Sequence, residues 1–148
     1  MISHDMLEIL FIEDNPDEAA LAIRSLKKNN LANKLVHIDD GEEALEFIFG
    51  TGRYSANNGA AKPKLILLDL KLPKVNGLEI LRRLKNDDRT KDIPVVILTS
   101  SKEDRDVEES YKLGVNSYIV KPVKFESFSK AIADLGFYWV VLNQSNVY

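Results

Sequence analysis

Four consecutive bulky apolar residues, Leu65-Ile66-Leu67-Leu68, run directly into one carboxylate, Asp69, and Pro73 follows shortly after. No polar residue alternates within the run. That pattern suits a strand buried on both faces, as in the middle of a parallel sheet covered by helices. Asp69 then stands at the carboxyl end of its strand, where open α/β sheets bind their ligands. An Asp that only caps a turn would look the same, and this stretch alone leaves both readings open.

The rest of the chain repeats the arrangement. Leu7-Glu8-Ile9-Leu10-Phe11-Ile12 reads as a first strand ending in Glu13-Asp14-Asn15-Pro16-Asp17-Glu18. Asn15 is a good N-cap, Pro16 fits the first helical position, and Asp17 and Glu18 suit the positive end of the helix dipole. A helix is therefore predicted from about Pro16, with Ala19, Ala22, Ile23 and Leu26 at spacings of three and four. Leu35-Val36-His37-Ile38 is a short second strand near an edge, and Asp39-Asp40-Gly41 turns into a second helix whose face is Ala44, Leu45 and Ile48. Asn76-Gly77 opens a third helix carrying Leu78, Leu81 and Leu84.

Ile93-Pro94-Val95-Val96-Ile97-Leu98 is the fourth strand, with Pro94 tolerated near its beginning, and it ends in Thr99-Ser100-Ser101. Ser101 with Asp104 resembles a capping box for a fourth helix, on which Tyr111 and Leu113 are expected to turn inward. Ser117-Tyr118-Ile119-Val120 is the fifth strand, closed by Lys121-Pro122. A last helix carries Phe125, Phe128, Ile132, Leu135, Trp139 and Leu142 as an apolar seam. Strand and helix alternate five times with connections too long for hairpins, so the predicted fold is α/β: a five-stranded parallel sheet, doubly wound, between two layers of helices.

At 148 residues the length suits a single domain, with a core over about 6–141, a surface loop at 50–64, a tail at 142–148 and no output domain. Gly50-Thr51-Gly52 in that loop follows a helix and lacks the third glycine or the Gly-Lys-Ser/Thr of a phosphate-binding loop. A net charge of −3 from well-mixed acids and bases leaves no footprint for nucleic acid or an anionic membrane surface. No cysteine is present, which excludes disulfides and thiolate metal sites, and no apolar run approaches the roughly 20 residues needed to span a bilayer. A cytoplasmic protein is expected. The histidines, His4 and His37, have no ligand-spaced partners and read as structural.

The functional argument lies at the strand ends: Glu13 and Asp14 after the first, Asp69 after the third, Thr99 closing the fourth, Lys121 after the fifth. Neighbouring parallel strands lie about 4.8 Å apart, so carboxylates there are near contact. Two like charges about 4 Å apart repel by roughly 4 kcal/mol at an effective dielectric near 20, and something must offset this. Three acidic oxygen donors without His or Cys suit a hard cation such as Mg²⁺, held at Glu13, Asp14 and Asp69. A metal-bound aspartate is also a plausible nucleophile towards phosphorus, with Thr99 as hydroxyl donor and Lys121 as a second positive charge. Each residue taken singly has an ordinary explanation as a capping acid, turn Asp, strand-end Thr or surface Lys. Their joint placement at one end of the sheet is what points to phosphoryl chemistry.

Ile12-Glu13-Asp14-Asn15, Leu67-Leu68-Asp69, Leu98-Thr99-Ser100 and Val120-Lys121-Pro122 resemble the signature of the response-regulator receiver family, over nearly the whole chain. The resemblance implies a flavodoxin-like (βα)5 fold, and a switch protein more than an enzyme. Glu13 and Asp14 would be ligands for Mg²⁺ or Mn²⁺, with the Lys71 backbone carbonyl completing the shell. Asp69 would be the phosphoacceptor, Thr99 the switch hydroxyl and Lys121 the phosphate-contacting base. Tyr118 falls where the family has its rotating aromatic, and Pro122 where it has a cis peptide. The implied partner is a sensor histidine kinase. The insertion at 50–63 and Phe137-Tyr138-Trp139 look most like the stand-alone regulators paired with phytochrome-type kinases.

Three rivals are weaker. An aspartyl-phosphate phosphatase needs a second Asp two residues after the first, where this chain has Lys71. A receiver-like interaction module without phosphorylation typically lacks one of the five site residues, and a flavin site needs a hydroxyl- and glycine-rich loop in place of Glu-Asp-Asn-Pro. Phe137, Val140 and Val141 form a second apolar strip on the last helix, so a homodimer is expected through the face of the fourth helix, fifth strand and fifth helix.

Overall fold

The short apolar runs become five strands in the computed structural model, which describes residues 9–28, 34–57 and 62–121 together with Glu126 and Lys130. Strands β1 (Ile9–Ile12), β2 (Leu35–Ile38), β3 (Leu65–Leu68), β4 (Val95–Thr99) and β5 (Ser117–Val120) form one parallel sheet in the order β2-β1-β3-β4-β5. Every residue of β1, β3 and β4 is buried, whereas β2 and β5, at the edges, are mostly half-buried. Unbroken apolar sequence thus marks strands covered on both faces.

Alternate residues of each strand feed two cores. Leu10, Ile12, Ile66, Leu68, Val95 and Ile97 pack with Ala44, Leu45 and Ile48 of helix α2 (Gly41–Phe49) and with Ile80, Leu81 and Leu84 of helix α3 (Gly77–Lys85). On the other face, Ile9, Phe11, Leu65, Leu67, Val96 and Leu98 pack with Ala19 and Leu26 of helix α1 (Pro16–Lys28). Helices cover both faces, as right-handed crossovers between parallel strands require, and the architecture is the expected flavodoxin-like one. Helix α4 (Asp104–Lys112) precedes β5.

Local chemistry sets the helix starts. Asn15 accepts from the backbone N–H groups of Asp17 and Glu18, Asp40 from that of Glu43, and Asn76 from that of Glu79. Each satisfies donors that the first helical turn leaves unpaired. Helix α2 ends at Gly50, whose left-handed φ of 65° favours a residue without a Cβ.

Several expectations change. The fourth strand begins at Val95 rather than Ile93, because Ile93 donates its N–H to Thr90 in the preceding turn and Pro94 has none to give. Part of the expected loop, Gly52–Asn57, is a 3-10 segment fastened to α2: Arg53 pairs with Glu46, Tyr54 donates to Glu43, and the Tyr54 ring meets Phe47 edge-on. The capping box of Ser101 with Asp104 does not form; Glu103 is the N-cap residue and Ser101 turns its hydroxyl to Asp106. Tyr111 is exposed instead of turned inward, while Leu113 does pack on the core. Pro122, the seam of the last helix, its second strip at Phe137, Val140 and Val141, the tail and His4 lie outside the described residues.

Candidate functional site

The register of β1 on β3 pairs Ile12 with Leu68, so the residues that follow, Glu13 and Asp69, emerge side by side. Asp69 donates its N–H to the Ile12 carbonyl and Glu13 donates its own to Ile38, which fixes both backbones. His37 places Nε2 2.8 Å from the Glu13 carbonyl, a further brace on this end of β1. Behind Asp69, Gly77 packs so closely that a Cβ there would come within 2.3 Å of the Asp69 carbonyl oxygen. Only glycine fits.

Carboxylate oxygens of Glu13, Asp14 and Asp69 lie within 4.8 Å of one another. Glu13 and Asp69 are buried and Asp14 is exposed, so the trio opens to solvent on one side. Lys121, at the end of β5, reaches in with its ammonium 2.5 Å from Glu13 Oε1, 2.5 Å from Glu18 Oε2 and 3.1 Å from Asp69 Oδ2. The remaining Asp69 oxygen, Oδ1, accepts from the Lys71 backbone N–H at 3.1 Å.

Burial, the largest cause, and the neighbouring Asp69 raise the Glu13 carboxyl by more than the Lys121 hydrogen bond lowers it, which leaves it at about 7. Burial also works against the Lys121 charge, but its bonds to Glu13, Glu18 and Asp69 outweigh this and hold the ammonium well above its ordinary value. One lysine therefore does not supply enough positive charge to keep Glu13 readily ionised. The donor set is all oxygen, closely spaced and short of positive charge, which fits a hard divalent cation.

Thr99 is fully buried at the end of β4, and its Oγ1 accepts from the Ser101 N–H at 3.3 Å. Its carbonyl accepts from the Lys121 N–H at 2.7 Å, which joins the ends of β4 and β5. Ser101 is a junction: its hydroxyl donates to the buried Asp106 carboxylate of α4, and its carbonyl accepts from the Tyr118 hydroxyl at 3.1 Å. A cleft of about 600 Å³ opens beside the site, with Asp14, Lys71, Leu72, Arg105 and Asp106 among the residues that line it.

Glu13, Asp14, Asp69 and Lys121 are thus brought together, with Thr99 at the neighbouring strand end and Tyr118 one hydrogen bond from the segment after Thr99. Sequence reasoning missed Glu18, read only as a helix-dipole residue, and Asp106 was not singled out at all. A signal for Glu18 existed: α1 starts four residues after β1, so its first turn must stand over the strand ends. Nothing in the local pattern of α4 marks Asp106 for burial. In a second acidic group, Asp39, Asp40 and Glu43, Asp40 caps α2 and Glu43 holds Arg53 and Tyr54.

A family model described as the response regulator receiver domain matches residues 9–133. The probable methanogenesis regulatory protein FilR2 of Methanothrix harundinacea is 36% identical over 143 residues, 97% of this chain and 90% of that protein. Among solved structures, the bacteriophytochrome response regulator RtBRR is 47% identical with a TM-score of 0.76, over 88% of this chain and 79% of its own. The Mn²⁺-bound form of the response regulator Rcp1 is 35% identical with a TM-score of 0.76, over 90% of this chain and 94% of its own.

Proposed function

This chain belongs to the response regulator receiver family, and on that premise we propose that Asp69 accepts a phosphoryl group from a sensor histidine kinase in a two-component phosphorelay. The observation that carries the assignment is the Lys121 ammonium 3.1 Å from Asp69 Oδ2, beside carboxylates whose oxygens all lie within 4.8 Å. In the transfer, an Asp69 carboxylate oxygen forms the new O–P bond while the P–N bond to the donor imidazole breaks. The electron pair of that bond stays with the imidazole nitrogen, which takes up a proton. Lys121 holds Asp69 in place and offers charge to the phosphoryl oxygens, and the Lys71 N–H orients the other carboxylate oxygen.

Receiver domains bind divalent metal. Here Glu13, Asp14, Asp69 and the Lys71 backbone carbonyl would hold Mg²⁺ or Mn²⁺, and the bound ion supplies neutralisation of the phosphoryl and carboxylate charges. The acyl phosphate carries about −2 where the carboxylate carried −1, so about one negative charge is added at the strand end beside Thr99. In the proposed switch Thr99 turns its hydroxyl to that charge and gives up the Ser101 N–H, and Tyr118, bonded to the Ser101 carbonyl, follows. The protein is then a phosphoacceptor switch, one receiver over residues 1–148 acting in the cytoplasm, that assists its own phosphorylation and dephosphorylation.

Similarity to a bacteriophytochrome response regulator supports a phytochrome-type kinase as donor. The exposed Tyr111 on α4 and the half-buried edge strand β5 support the homodimer face. Native mass spectrometry after incubation with Mg²⁺ and acetyl phosphate tests the phosphoacceptor and the dimer. The wild type should gain the mass of one phosphoryl group and Asp69→Asn should not. A gain by the variant rejects Asp69, and a monomeric mass before and after phosphorylation rejects the dimer.

A further inference from the structure

We propose that Glu18 is a positioning residue that competes with the phosphoryl group for the Lys121 ammonium and so sets how fast the site loads and empties; this rests on Asp69 as phosphoacceptor. A lysine ammonium has three N–H donors. In this structure its partners are carboxylate oxygens on three residues, Glu13, Glu18 and Asp69. When Asp69 is modified, the N–H it holds passes to the phosphoryl group, and any further contact from the ammonium requires Lys121 to release a second partner.

Burial decides which one. The Glu13 side chain is 1% exposed, so water cannot take the place of the ammonium there. Glu18 is 42% exposed, so water replaces the ammonium there at small cost. Asp69 is the residue being modified. Glu18 is therefore the partner given up, and in the resting state it is the group that holds the ammonium back.

The placement of Glu18 is built in. Asn15 accepts the Glu18 N–H at 3.0 Å, which fixes the residue in the first turn of α1, directly over the strand ends. From there its carboxylate meets a lysine 103 residues further along the chain. A favourable position on the helix dipole explains an acid in this turn, but not one whose carboxylate is spent on Lys121.

The test compares wild type, Glu18→Gln, Lys121→Ala and the double variant with Mg²⁺ and acetyl phosphate, reading gain and loss of the phosphoryl mass with time. Glu18→Gln should load about two- to fivefold faster and lose the group more slowly by a similar factor, the range expected of a half-exposed ion pair. In the Lys121→Ala background the same substitution should change nothing, because the effect is routed through the ammonium. A second reading needs neither metal nor phosphoryl group. The Lys121 ammonium resonance should be protected from solvent exchange in metal-free wild type and lose that protection in Glu18→Gln. Should Lys121→Ala take up no phosphoryl group, this resonance decides. Equal rates for Glu18→Gln and wild type, an effect that persists without Lys121, or unchanged protection overturns the inference while leaving Asp69 as phosphoacceptor intact. A wild type that gains no phosphoryl mass, or a gain by Asp69→Asn, overturns both.

Discussion

Helices α3 and α4 are each nine residues long and flank the site, yet they are held to the sheet by opposite means. Helix α3 buries Ile80, Leu81 and Leu84 completely, its N-cap Asn76 accepts from Glu79, and Lys85 donates to the Lys91 and Ile93 carbonyls. Helix α4 buries Asp106 and Ser110, exposes Tyr111 and starts at Glu103 without a side-chain cap. The Ser110 hydroxyl has no hydrogen-bond partner among the described residues. Apolar burial is non-directional and lost only by separating the surfaces, whereas a polar contact can be exchanged for another at little net cost. The first kind of anchor suits a platform and the second suits a part that moves. Helix α3 is the platform, with Gly77 wedged against the Asp69 carbonyl. Helix α4 hangs from Ser101, two residues beyond the proposed switch hydroxyl.

Substitutions can break that contrast. The largest effect is expected from Leu81→Ala, a truncation in a fully buried face, at about 2–5 kcal/mol of folding stability by urea unfolding. Asp106→Ala removes the acceptor of the Ser101 hydroxyl and should cost about 1–3 kcal/mol. Hydrogen exchange should locate the damage, with faster amide exchange along α4 and unchanged protection in α3. Equal loss of protection in both helices would mean that α4 is as firmly part of the core as α3. Ser110→Ala should do least, within about 0.5 kcal/mol of wild type or slightly more stable, because it deletes a buried hydroxyl that has no partner. A loss as large as that of Leu81→Ala would show that Ser110 anchors the helix, and the contrast would fail.

The two helices also differ in how far they can be read from sequence. Asn76-Gly77 marks the start of α3 and Leu81 and Leu84 recur at helical spacing on its buried face, although Ile80, also fully buried, falls outside the predicted face and Leu78 within it is only half-buried. In α4 the same rules point the wrong way. Asp106 and Ser110 are polar yet buried, and Tyr111, the large aromatic, faces solvent. Hydrophobic spacing predicts which face turns inward only where apolar contact is what holds the helix. The site divides similarly. Glu13, Asp14, Asp69, Thr99 and Lys121 are visible because each closes or follows a strand-like run, while Glu18 sits on a helix and is visible only as a helix residue.

By itself the sequence determined the alternation of strands and helices, the cap at Asn15, the helix starts at Asp40-Gly41 and Asn76-Gly77, and the line of polar residues at the strand ends. These depend on neighbours a few positions away, where periodicity and backbone hydrogen bonding act. Only the tertiary structure decided that β1 lies beside β3, so that Glu13 meets Asp69, that Lys121 spends its ammonium on three carboxylates, and that Ser101 ties α4 to the end of β4. Most of these contacts join residues far apart in the chain. They depend on which strands pair and how the helices cross over, and a local pattern records neither.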